Sequence, residues 1–211
     1  MSKKKNFNTK VIHVGQKPEE PFGAVSLPIY QTSTFKQNEF GEYIFDYSRA
    51  DNPTRQNLEK NIASLESGIG AVAYSSGMAA ISSVCQLFKS GDELIFTNNV
   101  YGGTYRLMEK VMNRFSISVK WVDTSDLDSI KDNINSKTKM IFIESPTNPM
   151  MTMSDIQEIS VIAKNNNIIV AVDNTFMSPF FQRPLELGAD LVIHSSTKYL
   201  GGHSDIIGGF V

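Results

Sequence analysis

Ile168-Ile169-Val170-Ala171-Val172-Asp173 decides the fold. Five consecutive apolar residues, several of them β-branched, have no polar face to offer water. A strand of this kind is buried on both sides, as in a parallel sheet covered by helices. Asp190–His194 repeats the pattern, and Met140–Glu144, Glu93–Thr97 and Ser116–Val122 read as further strands. Between them lie stretches with three-to-four apolar spacing: Met78–Phe88, Thr104–Asn113 and Ile156–Asn165. Strands alternating with helices imply a three-layer α/β domain with a mostly parallel sheet. Ser125 with Asp128, and Ser154 with Gln157, have the spacing of capping boxes and are expected to open helices. A short apolar run at Ala71–Tyr74 precedes a turn, and Ile206–Val211 looks like the start of a strand. The chain stops there in mid-pattern, which suggests a truncated protein.

Residues 1–50 differ. They are rich in Pro, Gly, Gln and aromatics and show no sustained helical period. Pro18, Pro21 and Pro28 are expected to keep the stretch extended. An arm of this kind packs across its own domain or reaches a neighbouring subunit. Asn52-Pro53 then reads as an N-cap with proline at the first helical position, leading a helix through Leu58, Ile62 and Leu65. The expected organisation is an extended arm over 1–50 and an α/β domain over 51–211.

The 211 residues suffice for one substantial core, and 41% hydrophobic with 20% charged residues is ordinary globular composition. Lys+Arg 20 against Asp+Glu 22 leaves a formal charge of -2, which disfavours nucleic acid or an anionic membrane as partner. Lys3-Lys4-Lys5 reads as a solvated basic tip. Cys85 stands alone, so no internal disulfide can form and a reducing compartment is expected. His13, His194 and His203 lie far apart, without metal-ligand spacing. There is no apolar run of membrane-spanning length and no secretory h-region, so the cytoplasm is the default expectation.

The chemistry concentrates where strands end. Asp190-Leu191-Val192-Ile193-His194-Ser195-Ser196-Thr197-Lys198-Tyr199 delivers two hydroxyl residues, Ser195 and Thr197, just before a lysine. Hydroxyls beside an amine suit a phosphate monoester that also carries an aldehyde. The plain alternative is a surface lysine after a strand. Asp173 ends its strand where ligands of α/β sheets bind, and an acid there could hold a pyridine nitrogen protonated; it could equally cap a turn. Ser75-Ser76-Gly77-Met78-Ala79-Ala80 offers a close backbone approach and free helix N–H groups, or is an ordinary strand-to-helix turn. Tyr101-Gly102-Gly103-Thr104 places an aromatic ring after another strand, fit to stack on a planar group or simply to pack. Taken together, these four strand ends suit one planar phosphorylated cofactor. GxGxxG and GxxxxGK[ST] patterns are absent, so a nucleotide-binding module is disfavoured.

These segments resemble the cystathionine lyase/synthase family of pyridoxal 5'-phosphate (PLP) enzymes, from about Pro28 to Val211. The resemblance rests on several motifs in order: Tyr47-Ser48-Arg49 with Asn52-Pro53-Thr54, Ser76-Gly77-Met78, Tyr101-Gly102-Gly103-Thr104, Glu144-Ser145-Pro146-Thr147-Asn148-Pro149, Asp173-Asn174-Thr175, Arg183–Asp190 and Ser195–Leu200. It implies the large domain of the fold type I, aminotransferase-like architecture. It also implies residue roles. Lys198 is the covalent anchor and later moves protons between substrate carbons. Asp173 pairs with the pyridine nitrogen, and Tyr101 stacks on the ring and assists proton transfer. Gly77 and Met78 bind the phosphate through N–H groups, Ser195 and Thr197 through hydroxyls. Asn148 meets the cofactor or substrate near the ring hydroxyl. Tyr47 and Arg49 resemble a pair that reaches the phosphate of a neighbouring subunit, which would give the arm its purpose in a dimer or tetramer with shared sites.

The implied activity is β- or γ-elimination, or γ-replacement, on small sulfur amino acids of methionine and cysteine metabolism. Cystathionine γ-lyase or γ-synthase is the leading reading. Methionine γ-lyase, O-acyl-homoserine sulfhydrylase and an inactive remnant are the alternatives. Methionine γ-lyases usually carry cysteine where this chain has Gly103. Family members are nearly twice as long, and their C-terminal domain supplies the arginine that binds the substrate carboxylate. The 211-residue chain alone is therefore expected to turn over little or nothing.

Overall fold

The computed structural model describes residues 6–20 and 22–211. Lys3–Lys5 and Pro21, read above as a basic tip and part of an extended arm, lie outside the described residues. The chain divides into two units, one ending at Ala73 and one spanning Tyr74–Val211.

The first unit is mostly irregular but contains two helices, α1 (Phe7–His13) and α2 (Pro53–Glu66). Helix α1 corrects the expectation of an arm without helical structure. Its cause is not local: none of its residues is buried and Asn6 makes no side-chain cap. Instead Asn61, on α2, donates to the carbonyls of Lys10, Val11 and Val14 at 3.3, 3.1 and 2.9 Å. The carbonyls of Val11 and Val14 are of the kind a helix end leaves without backbone partners, while Lys10 O also accepts the Val14 N–H. Helix α2 begins as the sequence foretells, with Pro53 at its start and Asn52 Oδ1 accepting the Thr54 N–H at 2.9 Å. Asn52 also donates to Tyr30 O and Ser48 Oγ, and Arg55 donates to the carbonyls of Ser48 and Ala50, so the irregular segment is tied to this helix start.

The second unit is built on the sheet. Its elements follow in the order β1 (Ala73–Tyr74, the strand at which the two units join), α3 (Gly77–Cys85), β2 (Glu93–Thr97), α4 (Gly102–Lys110), a 3-10 turn (Met112–Phe115), β3 (Ser118–Val122) and α5 (Leu127–Asn133). There follow β4 (Thr138–Glu144), α6 (Ile156–Asn165), β5 (Ile169–Asp173), α7 (Ser178–Phe181), a second 3-10 turn (Pro184–Leu187), β6 (Leu191–Ser195) and β7 (Gly209–Phe210). The seven strands lie in the order β1-β7-β6-β5-β4-β2-β3. Pairings from β3 across to β6 are parallel, and β7 runs antiparallel to β6.

Alternation along the strands feeds two separate cores. Leu94, Phe96, Met140, Phe142 and Ala171 pack with Ala80, Val84 and Met108 of α3 and α4. Ile95, Ile141, Ile143, Val170 and Val172 pack with Ile130 of α5 and Ile156, Ile159 and Ala163 of α6. This is the three-layer arrangement that the doubly buried strands required.

Several local expectations are corrected. Asp126 and Asp155, not Ser125 and Ser154, cap α5 and α6, accepting from the N–H groups of Asp128 and Glu158. The hydroxyls turn elsewhere: Ser125 Oγ donates to Asp123 at 2.6 Å, and Ser154 Oγ bonds Thr124 Oγ1 at 2.7 Å. Strand β3 starts two residues later than expected because Ser116 is left-handed at φ 58. Helix α4 starts at Gly102 and gives way to the 3-10 turn after Lys110, and α3 stops at Cys85 rather than Phe88. The terminal strand is only Gly209–Phe210.

Candidate functional site

Because β2, β4, β5 and β6 are parallel, their carboxyl ends share one edge of the sheet. Strand β2 sits between β3 and β4, so the chain moves outward to β3 and returns to the other side of β2. The loops after β2 and β4 therefore diverge, which opens a crevice of the sort where α/β sheets bind ligands. A cavity of about 230 Å³ lies among these strand ends. Lys198, Asp173, Tyr101, Gly77, Met78, Asn148, Ser195 and Thr197 all line it.

Lys198 leaves β6 through a tight turn, with its N–H on Ser195 O and its carbonyl accepting from Gly202. Thr197 Oγ1 accepts the Gly208 N–H at 3.3 Å. Opposite them, Ser76 caps α3 by accepting the Ala79 N–H at 3.1 Å, and its carbonyl takes the Ala80 N–H. The N–H groups of Gly77 and Met78 are thus the ones this helix start offers to an anion. Gly77 is a steric requirement. A Cβ there would lie 2.6 Å from Ser195 Cβ, so any larger residue would drive α3 off β6.

Asp173 ends β5, in register with Glu144 of β4 on one side and Ile193 of β6 on the other. The Thr175 N–H and hydroxyl donate to Asp173 Oδ1 at 3.0 and 2.5 Å. Thr175 Oγ1 in turn accepts the Ser195 N–H at 2.8 Å, so one hydroxyl fixes both the acid and the strand that leads to the lysine. Burial pushes the Asp173 carboxyl upward, opposed by the two Thr175 bonds and the imidazole of His194. An acid desolvated in this way gains most from a cationic ligand atom.

Tyr101 precedes α4, and its ring lies directly over Gly103: a Cβ at that position would be 2.4 Å from Tyr101 Cε1 and 2.9 Å from Met78 Sδ. Asn148 enters from the loop after β4, its N–H bound by Glu144. Tyr47 and Arg49 belong to the first unit, where the guanidinium sits over the Tyr47 ring at 4.8 Å.

Besides Ser76, which caps α3, the cavity has two polar residues to which the sequence assigned no role, Glu144 and Thr175. Glu144 carried a usable signal: like Asp173, it is an acid closing an apolar strand. Thr175 carried less: it stands in the Asp173-Asn174-Thr175 motif, but its link to Ser195 reaches another strand.

A primary amine, a partly buried acid, an aromatic face and a cradle of N–H and hydroxyl donors are the set that PLP needs for its aldehyde, ring nitrogen, ring and phosphate. The Gly77 approach leaves the cradle open where a side chain would fill it. The residues present fit that cofactor.

Residues 8–211 match the family described as Cys/Met metabolism PLP-dependent enzyme. The chain is 52% identical over 204 residues to a cystathionine gamma-lyase of Bacillus subtilis, covering 96% of this chain and 54% of the relative. It is 51% identical over 207 residues to a cystathionine beta-lyase of Lactococcus lactis, covering 98% and 54%. A crystal structure of cystathionine gamma-lyase from Lactobacillus plantarum, complexed with L-serine, superposes with a TM-score of 0.96 at 46% identity, covering 98% and 54%. The chain thus spans about half the length of the relatives it matches.

Proposed function

As this chain belongs to the Cys/Met metabolism family of PLP-dependent enzymes, we propose that the cavity between its strand ends holds PLP at Lys198. We propose further that the whole protein makes or breaks carbon–sulfur bonds in small amino acids, with cystathionine as the leading substrate or product. The observation that carries this is the convergence of Lys198, Asp173, Tyr101 and the Gly77–Met78 N–H groups on one cavity.

PLP, when bound, supplies an electron sink conjugated to the substrate α-carbon. The protein's own groups do the rest. Lys198 Nζ anchors the cofactor, then takes the α-proton and returns it to a neighbouring carbon. Asp173 holds a proton at the ring nitrogen, and the Tyr101 ring covers one face and assists proton transfer. Gly77 and Met78 N–H groups with the Ser195 and Thr197 hydroxyls bind phosphate oxygens, and Asn148 orients the ring or the substrate beside it. Tyr47 and Arg49 serve the phosphate of a neighbouring copy, in a dimer or tetramer. An arginine fork matches a phosphate. The cytoplasm is the proposed location.

One observation weighs on substrate choice. Cysteine at position 103, the expectation for methionine γ-lyases, would collide with the Tyr101 ring as it lies here. This favours cystathionine chemistry over the methionine γ-lyase reading. The named relatives include both β- and γ-lyases at nearly equal identity, so elimination at either carbon stays within the proposal.

The test is spectroscopic. Added PLP is expected to give the visible band of a covalently held cofactor, lost in Lys198→Ala; reduction with borohydride should then leave the adduct on the peptide containing Lys198. No band in the wild-type protein would refute the assignment. Profiling the whole protein on cystathionine, methionine and O-acyl-homoserine separates the substrate readings.

A further inference from the structure

Glu144 is the buried acid of this cavity that the roles above leave unused. It is 6% exposed and lines the cavity, and among the described residues it forms no ion pair with a lysine, arginine or histidine. A carboxylate taken out of water without a cation must recover its lost hydration from hydrogen bonds. Glu144 does so from two directions. Oε2 accepts the N–H of Tyr101 at 2.9 Å, and Oε1 accepts the N–H of Asn148 at 2.8 Å.

Those two amides belong to the diverging loops on either side of the crevice. Tyr101 precedes α4 and has no side-chain cap of its own, so the Glu144 charge also sits at the amino end of that helix, where an anion is favoured. Behind Glu144, its own N–H donates to Thr97 Oγ1 at 3.3 Å, which joins Thr124 Oγ1 and Ser154 Oγ through contacts of 2.8 and 2.7 Å. The backbone of Glu144 is therefore held from the rear while its carboxylate grips both walls in front.

We propose that Glu144 is a positioning residue of this site, its single carboxylate setting where the Tyr101 ring and Asn148 stand relative to the cofactor. The inference rests on reading the cavity as the PLP site. Its physics is an acceptor count. An ionised carboxylate offers a strong acceptor oxygen to each N–H; the glutamine amide replaces one of them with an NH2 donor facing a donor, and protonation makes one oxygen a much weaker acceptor. One wall must then let go. Burial, followed by the charge of Asp173, pushes the Glu144 carboxyl up to about 7, so this release falls near neutral pH.

The other titratable groups on the cavity are Asp173 from β5, Lys198 after β6 and Tyr101 before α4, with His194 of β6 acting on Asp173. Glu144→Gln leaves all of them in place, so a difference between variant and wild type isolates position 144. The experiment titrates PLP into both proteins above and below neutral pH, reading the absorbance band and its induced circular dichroism. Above neutral pH, Glu144→Gln is expected to bind about tenfold more weakly and to show weaker dichroism per bound cofactor, because the ring facing it is no longer fixed. Below neutral pH the gap should close as the wild-type acid takes up its proton.

A purely structural role would lower the melting temperature while leaving dichroism and its pH dependence unchanged, and that result overturns the proposal. Should Glu144→Gln not fold, Glu144→Asp keeps the charge but withdraws both oxygens by about 1.5 Å; weaker dichroism is again expected, and an unchanged signal overturns the proposal. A wild-type protein that takes up no PLP would instead overturn the proposed function, which keeps the two failures apart.

Discussion

Two neighbouring acids on adjacent strands are held to different tasks by their bonds. Asp173 takes the hydroxyl and N–H of Thr175 on one oxygen, whereas Glu144 spends both oxygens on backbone amides. Asp173→Asn is expected to keep PLP on Lys198 while turnover of the whole protein falls at least about a hundredfold, as the ring nitrogen loses its charge partner; steady-state rates beside the cofactor absorbance check this. Glu144 makes a stability prediction with a definite sign. Burial and the neighbouring Asp173 charge push its carboxyl up to about 7 from the ordinary glutamate value of 4.5, so between those limits the folded state holds a proton that the unfolded state has already lost. Its contribution is full below the unfolded value and is lost as pH rises through the folded one. In cofactor-free protein, wild type should therefore lose roughly 3 kcal/mol relative to Glu144→Gln between those limits, measured by urea melts at a series of pH values.

At the level of elements, close approach decides where the ligand groups stand. Gly77 lets the start of α3 touch β6, which brings helix N–H groups to the same place as Ser195 and Thr197. Gly77→Ala should cost about 1–3 kcal/mol by overpacking, since the obstructing Ser195 Cβ is fixed to its backbone and cannot swing aside. It should also weaken PLP binding, because the phosphate donors move apart; chemical denaturation and PLP titration read the two effects. Helix starts show how far local signals reach. Asn52-Pro53 announced α2 because the capping bond spans two residues, whereas α1 is closed by Asn61, about fifty positions away. Serine and aspartate stand side by side at the starts of α5 and α6, and spacing alone could not tell which side chain would face the free amides.

For the whole molecule, the cavity is built from one unit of the chain, while Tyr47 and Arg49 belong to the other. Their proposed service to a neighbouring copy yields a test of assembly. Arg49→Ala should speed PLP loss several-fold in the oligomer and have no effect on a monomer; cofactor release rates on fractions of defined mass distinguish these. An equal effect in a proven monomer would remove the shared-site reading.

The doubly apolar strands, the alternation with helices and the acids and lysine at strand ends were legible in the order of residues. They depend on periodicity and on chain direction, which every parallel strand shares. What the sequence could not state was adjacency. That Glu144 sits beside Asp173, that Thr175 ties it to the strand of Lys198, and that Glu144 grips the amides of Tyr101 and Asn148 all follow from sheet order and register. Hydrogen bonds act over about 3 Å, so such links exist only once folding has brought distant segments within that reach.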